Sequence, residues 1–317
     1  MWVKGLALDW QIFYPARRPR RLHLPVYPFS RERYWAETKP AASIPASKAP
    51  VPGAEQLHPL LHANTSNLET QRFTSRFDGS EPFLADHEVQ GRRVLPGVAY
   101  LEMAHAALLH SGAGATTELV LNQIVWSRPL AVEPGTPRAV HIDLQAEDDG
   151  RVSFEIHSDD ATDTARRVHG RGVAQARPRA GAASQTLDLD ALRARMQRAS
   201  FTAAQCYTAF ERLGLVYGPS HRGLAELHAG EQEVLARLSL PALPAGMTLA
   251  PGLLDSALQA AIGLVLEVDG ELADGSPMLP FALRELDVLA PCQREMWVWV
   301  AAAGDDSATV RKLDITL

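Results

Sequence analysis

Residues 97–110 read GVAYLEMAHAALLH, and apolar side chains fall on nearly every face when this stretch is placed on a helix. A helix that is apolar all round is buried on all sides. Pro96 stands directly before the stretch, a position that proline favours at helix starts. Strand-like runs of alternating residues follow at 121–132, 139–145 and 152–157. The stretch therefore predicts a buried helix covered by short strands.

A second stretch repeats this organisation. Residues 252–266, GLLDSALQAAIGLVL, are again apolar nearly all round, and strand-like runs flank them at 234–240, 296–301 and 310–317. A long buried helix wrapped by a curved antiparallel sheet, formed twice, is the simplest packing for this pattern. We therefore expect an α+β fold with two similar lobes. Periodicity does not give the order or the curvature of the strands.

Two stretches of biased composition suggest where the lobes begin and end. Residues 36–56 are rich in Ala, Pro, Ser and Lys, and residues 176–186 form a shorter stretch of similar kind. The aromatic and basic residues ahead of the first stretch do not resemble the start of a compact domain. The predicted division is a tail at 1–35, a flexible linker at 36–56, a first lobe at 57–175, an inter-lobe linker at 176–186 and a second lobe at 187–317.

The composition excludes several classes of protein. The chain has 317 residues and a net charge of −6, which does not favour a nucleic-acid partner. No apolar run approaches the roughly 18 residues that cross a bilayer, and the first residues do not resemble a signal peptide. Cys206 and Cys292 lie far apart without metal-ligand spacing. We therefore expect a reduced, cytoplasmic protein with neither a nucleic-acid nor a membrane partner.

Motifs for bound cofactors and metals are missing from the sequence. There is no glycine-rich dinucleotide motif, no phosphate loop and no nucleophile elbow. His58 and His62, four residues apart, could share a helix face, but no third metal ligand accompanies them. The sequence predicts neither a cofactor nor a metal.

His87 is the first candidate for chemistry. Gly91 and Pro96 mark tight backbone between it and the first buried helix, so we expect a loop histidine close to the helix N-terminus. An imidazole base beside backbone N–H groups that hold a carbonyl oxygen would suit proton abstraction. The alternative interpretation is a surface-loop histidine of no special function.

Asp255 and Gln259 are the second candidate. They lie four residues apart on the second apolar helix and therefore share a face. Burial would raise the pKa of the Asp255 carboxyl and let it hold a proton at neutral pH, as a general acid must. The alternative is an acidic residue favoured by the helix dipole in the first helical turn.

The stretch from Tyr217 to His221, YGPSH, reads as a turn that carries a phenol and an imidazole. It could line a pocket. A Gly-Pro turn with a packed tyrosine is the commoner explanation of such a stretch.

Taken together, these motifs resemble those of the dehydratase domains of modular polyketide synthases. That family has His-x-x-x-Gly-x-x-x-x-Pro, Tyr-Gly-Pro, Leu-Asp-x-x-x-Gln/His and Leu-Pro-Phe, and they match residues 87–96, 217–219, 254–259 and 279–281 in the family's order. Residues 2–35 resemble the linker that follows a ketosynthase. Residues 58–66 resemble the subgroup whose acyltransferase is a separate protein. The resemblance covers nearly the whole chain.

The resemblance implies a double hot-dog fold, and it implies a mechanism. The substrate would be a β-hydroxyacyl thioester on the phosphopantetheine arm of an acyl carrier protein, and no cofactor would be needed. His87 would remove the α-proton and Asp255 would protonate the departing β-hydroxyl. The remaining expected site residues, which position the substrate, are Gln259, Tyr217, Gly97, Pro96 and His221. A neighbouring ketosynthase of the same polypeptide and a homodimer are the further implied partners.

The sequence departs from the family pattern at three places. Ala250 stands where the family commonly has histidine, His221 stands where it has phenylalanine, and the chain ends at Leu317, where another hairpin strand is expected. Ala250 and His221 keep two other reactions of the scaffold open: pyran formation by oxa-Michael addition and assistance to β-branching. Asp255 argues against a double-bond shift. A non-catalytic docking module is a further alternative, and the intact pair of His87 and Asp255 argues against it. A hot-dog thioesterase is another, but it does not explain the signature at 87–96 or the linker-like residues 2–35.

Overall fold

The structure is a computed structural model, and it describes residues 9, 12, 56–112, 117–159, 166–178, 186–272, 279–304 and 310–317. The chain forms two compact units, 1–49 and 50–317. In the first unit the Ile12 N–H donates to the Asp9 carbonyl oxygen at 3.4 Å. Apart from residues 9 and 12, the predicted tail lies outside the described residues, as does most of the predicted flexible linker, so both remain predictions.

The described part of the second unit contains short helices and antiparallel strands. The helices are α1 Pro82–Ala85, α2 Gly97–His110, α3 Leu189–Arg195, α4 Ala203–Arg212 and α5 Pro251–Gln259. The strands are β1 Ala63–Asn64, β2 Gln71–Phe77, β3 His87–Val89, β4 Arg92–Arg93, β5 Thr117–Trp126, β6 Arg138–Ala146, β7 Val152–Asp159, β8 Arg166–Pro178, β9 Ala199–Thr202, β10 Leu215–Tyr217, β11 Leu224–Ala229, β12 Glu233–Ser239, β13 Ala282–Asp287, β14 Glu295–Ala302 and β15 Leu313–Thr316.

The first large sheet wraps α2. Its strand order is β1-β2-β6-β7-β8-β5-β13, and neighbouring strands are antiparallel. Buried residues of α2 and of the sheet share one apolar core, as the all-apolar helix predicts. The predicted strand 121–132 is wrong at its end. The register shifts between Asn122 and Val125, Gln123 has a φ of 53°, and β5 stops at Trp126.

The second large sheet wraps α5. Its order is β15-β14-β12-β11-β9, again antiparallel throughout. The predicted helix 252–266 is too long, because α5 ends at Gln259 and continues as a 3₁₀ turn over Ala260–Leu264. The Arg198 guanidinium stabilises this end, since it donates to the carbonyl oxygen of Gly263, within the turn, and to that of Leu266, two residues beyond it.

Two features cross the predicted boundary between the lobes. Strand β13, from the second predicted lobe, pairs with β5 at the edge of the first sheet. A small sheet of order β10-β3-β4 joins Tyr217 of the second lobe to His87 of the first. In addition, β8 runs to Pro178, so the predicted inter-lobe linker starts inside a strand. Strand pairing therefore joins the two lobes, which sequence periodicity cannot detect.

A buried carboxylate ties the two helices together. Glu102, on α2, accepts hydrogen bonds from the backbone N–H groups of Thr248 (2.9 Å) and Leu249 (2.7 Å), just ahead of α5. It also accepts from His58 Nε2 at 3.0 Å, and the Leu60 N–H donates to the other ring nitrogen of that histidine. The start of α5 is thus held at a fixed place along α2.

We expect Glu102→Ala to destabilise the fold by about 3 kcal/mol, because it leaves two buried donors and one partly buried donor without an acceptor. Urea unfolding followed by circular dichroism measures this change. The matched control is Glu231→Ala at an exposed position, expected to change the free energy of unfolding by less than about 0.5 kcal/mol. Equal stability of the two variants would show that the Glu102 contacts contribute nothing.

Within the described residues, no helix is both long and apolar enough to span a membrane.

Candidate active site

His87 is held in one orientation at the start of β3. The predicted loop position is wrong: His87 is a buried strand residue paired with Tyr217 of β10. Its Nδ1 lies 2.7 Å from the Val94 carbonyl oxygen, and the Val94 N–H donates to the His87 carbonyl oxygen at 3.1 Å. Because a carbonyl oxygen only accepts, Nδ1 carries the proton and Nε2 presents a lone pair.

Asp255 faces the lone pair of His87 Nε2 from helix α5. It lies on α5 and is 8% exposed. Its Oδ1 is 4.0 Å from His87 Nε2, too far for a hydrogen bond. Its Oδ2 lies 2.8 Å from Gln259 Nε2 and 3.3 Å from His221 Nδ1. One carboxyl oxygen is therefore occupied by protein, and the other faces the imidazole.

The side-chain amide of Gln259 is oriented by a residue that the sequence analysis did not identify. Tyr207, on α4, accepts a hydrogen bond from the Leu224 N–H at 3.0 Å, and its hydroxyl donates to Gln259 Oε1 at 3.2 Å. Oε1 is thus the acceptor, and Nε2 donates both to Asp255 and to the His221 carbonyl oxygen. The capping box from Thr202 to Gln205 does predict α4 from sequence. No sequence pattern pairs Tyr207 with a residue more than fifty positions away.

The turn that follows β10 fits tightly against the residue before His87. The Asp86 carbonyl oxygen accepts from the Gly218 N–H at 2.8 Å, and Asp86 Oδ2 accepts from the Ser220 N–H at 2.8 Å. A Cβ on Gly218 would lie 2.1 Å from Asp86 Oδ1. Glycine is therefore required at this point, and the turn fixes the position of β3.

We expect Gly218→Ala to reduce turnover by about tenfold or more and to lower stability by about 1–3 kcal/mol, because Asp86 must move and His87 follows it. Initial rates and urea unfolding measure the two effects. The control is Gly230→Ala, whose added Cβ would approach its neighbours no closer than 3.3 Å and would touch none of these site residues. A fully active Gly218→Ala protein would contradict the tight fit.

Tyr217 and His221 flank the imidazole of His87. Their ring centroids lie 5.6 Å and 5.3 Å from that of His87, respectively. Tyr217 is half-buried, and it packs edge-on against Phe210 at 5.3 Å. His221 is fully buried. The structure thus brings both predicted turn residues to the site, and the Tyr217 ring is packed rather than exposed.

Pro96 and Gly97 form the start of α2. The Trp126 Nε1–H donates to the Gly97 carbonyl oxygen at 2.9 Å, and a Cβ on Gly97 would lie 3.0 Å from Nε1. Pro96 is the N-cap and has no N–H of its own. The first N–H groups of a helix have no partner inside it and can bind an oxygen that carries negative charge.

Burial and neighbouring groups set the proton affinities of the facing pair. Burial, the largest cause, lowers the pKa of His87 below its usual value and favours a neutral base. Burial would raise the pKa of Asp255, as the sequence analysis expected. The hydrogen bond from His221, the positive charges of His87 and His221 when protonated, and the hydrogen bond from Gln259 outweigh burial, so the pKa is lowered. The expected rise is therefore wrong.

A proton shared between His87 and Asp255 explains how Asp255 can act as a general acid although its pKa is lowered. One proton on the pair gives either a neutral His87 with a protonated Asp255 or an imidazolium with a carboxylate, and the two forms carry the same number of protons. The apparent pKa values belong to the pair, not to either residue. The form with a neutral base and a protonated acid exists over the same pH range as the ion pair.

Sequence profiles of one family match both halves of the second unit. The profile of the polyketide synthase dehydratase domain matches residues 58–159, and the profile described as the polyketide synthase dehydratase N-terminal domain matches residues 184–315. A crystal structure of a trans-AT PKS dehydratase domain from Brevibacillus brevis is 41% identical, with a TM-score of 0.75, over 82% of this chain and 92% of that one.

The chain belongs to the polyketide synthase dehydratase family. The resemblance seen in the sequence and the double hot-dog fold that it implied are thereby confirmed. The chain is a hydro-lyase domain of polyketide biosynthesis, and neither cyclisation nor β-branching is favoured.

Further relatives are also polyketide synthases or dehydratase domains of such proteins. Polyketide synthase PksN of Bacillus subtilis is 38% identical over 100% of this chain, and ThaG of Burkholderia thailandensis is 42% identical over 96% of it. The dehydratase domain of RzxB from Pseudomonas fluorescens is 30% identical with a TM-score of 0.70, over 82% of this chain and 93% of that one. This chain spans 6% of the length of PksN and 5% of the length of ThaG.

Proposed function

We propose that this dehydratase domain eliminates water from a β-hydroxyacyl thioester with His87 as the general base and Asp255 as the general acid. One observation carries the assignment. The lone pair of His87 Nε2 and the open oxygen of Asp255, from two different helix-and-sheet lobes, face each other across 4.0 Å. Base and acid at that separation suit adjacent carbon atoms of one substrate, after a small opening of the gap.

The base acts at the α-carbon. His87 Nε2 takes the α-proton, and the Cα–H electron pair forms the new double bond between Cα and Cβ. The hydrogen bond to the Val94 carbonyl oxygen stabilises the imidazolium that results and prevents the ring from turning.

The acid acts at the β-carbon. The Cβ–O bond breaks, and the hydroxyl takes the proton of Asp255 Oδ1 and leaves as water. His87 then holds one proton more and Asp255 one fewer than at the start. Transfer of the proton from His87 to Asp255 across the emptied site restores the active form, so no external acid or base is consumed.

The remaining residues position the substrate. Backbone N–H groups at the start of α2, beside Pro96 and Gly97, would hold the thioester oxygen, whose negative charge grows as the α-proton leaves. The Tyr217 ring borders the imidazole on one side. Gln259 holds the carboxyl of Asp255.

The wider setting also belongs to this proposal. We infer that the acyl chain arrives on the phosphopantetheine arm of an acyl carrier protein and that the chemistry requires no cofactor of the domain's own. We further propose a ketosynthase as neighbour in the same polypeptide, assembly of the domain as a homodimer and a cytoplasmic location. Relatives that are many times longer than this chain support a multidomain setting.

The test uses intact-mass spectrometry of a carrier protein. A 3-hydroxyacyl carrier and a 2,3-unsaturated carrier with an internal hydroxyl are each incubated with the protein. We expect the first to lose the mass of one water and the second to keep its retention time. An unchanged first carrier together with an isomerised, cyclic second product would replace dehydration with cyclisation.

A further inference from the structure

His221 is a buried imidazole that has no part in proton transfer between the substrate and His87 or Asp255. It is 0% exposed, it follows β10, and its Nδ1 lies 3.3 Å from Asp255 Oδ2. Its other nitrogen, Nε2, is buried and has no hydrogen-bond partner among the residues that the structure describes. A buried titratable side chain in contact with Asp255, the proposed general acid, is positioned to affect how that carboxyl holds its proton.

The unpaired nitrogen indicates where the ring proton lies. A neutral imidazole carries one proton. If that proton were on Nε2, a buried N–H would be left without an acceptor, which is the more costly arrangement. With the proton on Nδ1, the ring donates to Asp255 and leaves only a lone pair unpaired. His221 is therefore a donor to the carboxyl.

Two donors then meet on the same carboxyl oxygen. Gln259 Nε2 donates to Asp255 Oδ2 at 2.8 Å, and its orientation is fixed by the hydroxyl of Tyr207. His221 donates to the same oxygen. A proton placed on Oδ2 would displace at least one of these bonds, whereas Oδ1 has no such competitor and faces His87.

We propose that His221 is a positioning residue that, with Gln259, occupies Oδ2 of Asp255 and so confines the transferable proton to Oδ1, where the substrate hydroxyl arrives. This inference rests on the proposed role of Asp255 as the acid. It adds a residue to the acid half of the mechanism and gives the imidazole a task distinct from lining the pocket.

The same contact predicts a change in pH dependence. The titratable groups around the carboxyl are His87 on β3, Tyr217 on β10, Tyr207 on α4 and His221, with Arg222 over the Tyr207 ring. Burial raises the pKa of both tyrosines, so they stay neutral across the accessible range. The hydrogen bond from His221 lowers the pKa of Asp255, so its removal moves the pH profile of kcat/KM to higher pH.

Three variants test the role. His221→Phe keeps a planar ring and loses the donor, His221→Asn places an amide N–H close to the position of Nδ1, and His221→Gln places it at the position of Nε2 instead. We expect the Phe and Gln variants to lose about tenfold in kcat with little change in KM, the size of one hydrogen bond to a charged group. Their pH profiles should move upward. The Asn variant should retain the wild-type profile and lie within about threefold of the wild-type kcat.

The outcomes separate this inference from the proposed function. Folded His221→Phe protein with wild-type kcat and pH profile overturns the role of His221 while leaving Asp255 as the acid. If the Phe variant does not fold, the Asn and Gln variants decide, and equal kinetics of the two overturn the role. Loss of the acid assignment itself would instead appear as an active Asp255→Asn protein.

Discussion

His87→Ala should lower the rate of water elimination by about 10²–10⁴-fold, the usual contribution of a positioned general base. The imidazole is the group whose lone pair faces the carboxyl across 4.0 Å, and no other neutral base occupies that place among the residues described around it. The ring contributes a hydrogen bond to the Val94 carbonyl oxygen, so the variant should lose only modest stability. Elimination is measured on a 3-hydroxyacyl carrier by intact mass at matched protein concentrations.

His110→Ala is the matched control for this variant. His110 is an exposed histidine at the end of α2, and its replacement should leave the rate within about twofold of wild type. A His87→Ala protein that is folded and eliminates water at the wild-type rate would exclude this imidazole as the base.

Asp255→Asn should cause a loss of similar size, about 10²–10⁴-fold. The amide has nearly the shape of the carboxyl, so packing on α5 is preserved, but it has no proton of comparable acidity to give to the leaving hydroxyl. His221 and Gln259 both donate to Oδ2, and the amide must therefore keep its oxygen toward them and turn its NH₂ group toward His87. The variant should fold, bind the acyl chain and fail at the breaking of the Cβ–O bond.

Asp190→Asn provides the control, because its side chain is 95% exposed on α3. The double variant His87→Ala with Asp255→Asn should be no slower than the slower single variant by more than a few fold, since base and acid act in one event. Strictly additive losses would show that the two residues serve separate steps.

The sequence predicted the two central helices, α2 and α5, better than it predicted the hydrogen bonds and short strands of the site. Residues 97–110 are helical from end to end, as expected for a 14-residue stretch with apolar side chains on nearly every face, which is longer than a typical buried strand. The second helix was predicted too long, since the apolar run AAIGL that follows Gln259, residues Ala260–Leu264, forms a 3₁₀ turn instead of continuing the α-helix. Strands β3 and β10 have three residues each, too short for any periodicity to appear.

Contacts between distant residues account for the rest. The structure brings together the predicted site residues His87, Asp255, Gln259, Tyr217 and His221. Their spacing in sequence does not place them in one site, and only the family resemblance did so. Tyr207 was missed because its partner lies on another helix. The predicted direction of the Asp255 pKa shift was wrong because it left out the hydrogen bond from His221. That donor lies in a turn 34 residues earlier in the chain. The burial of a side chain can be predicted from its apolar neighbours in sequence, whereas a hydrogen bond between residues distant in sequence cannot.

Side-by-side intact-mass assays of wild-type protein and two variants decide whether His87 and Asp255 act as base and acid. Wild-type protein, His87→Ala and Asp255→Asn are each mixed with the same 3-hydroxyacyl carrier, after circular dichroism has shown all three to be folded. We expect wild-type protein to remove one water from the carrier-bound chain and neither variant to do so on the same timescale. Water loss by either folded variant at the wild-type rate would contradict the pairing of His87 and Asp255 as base and acid.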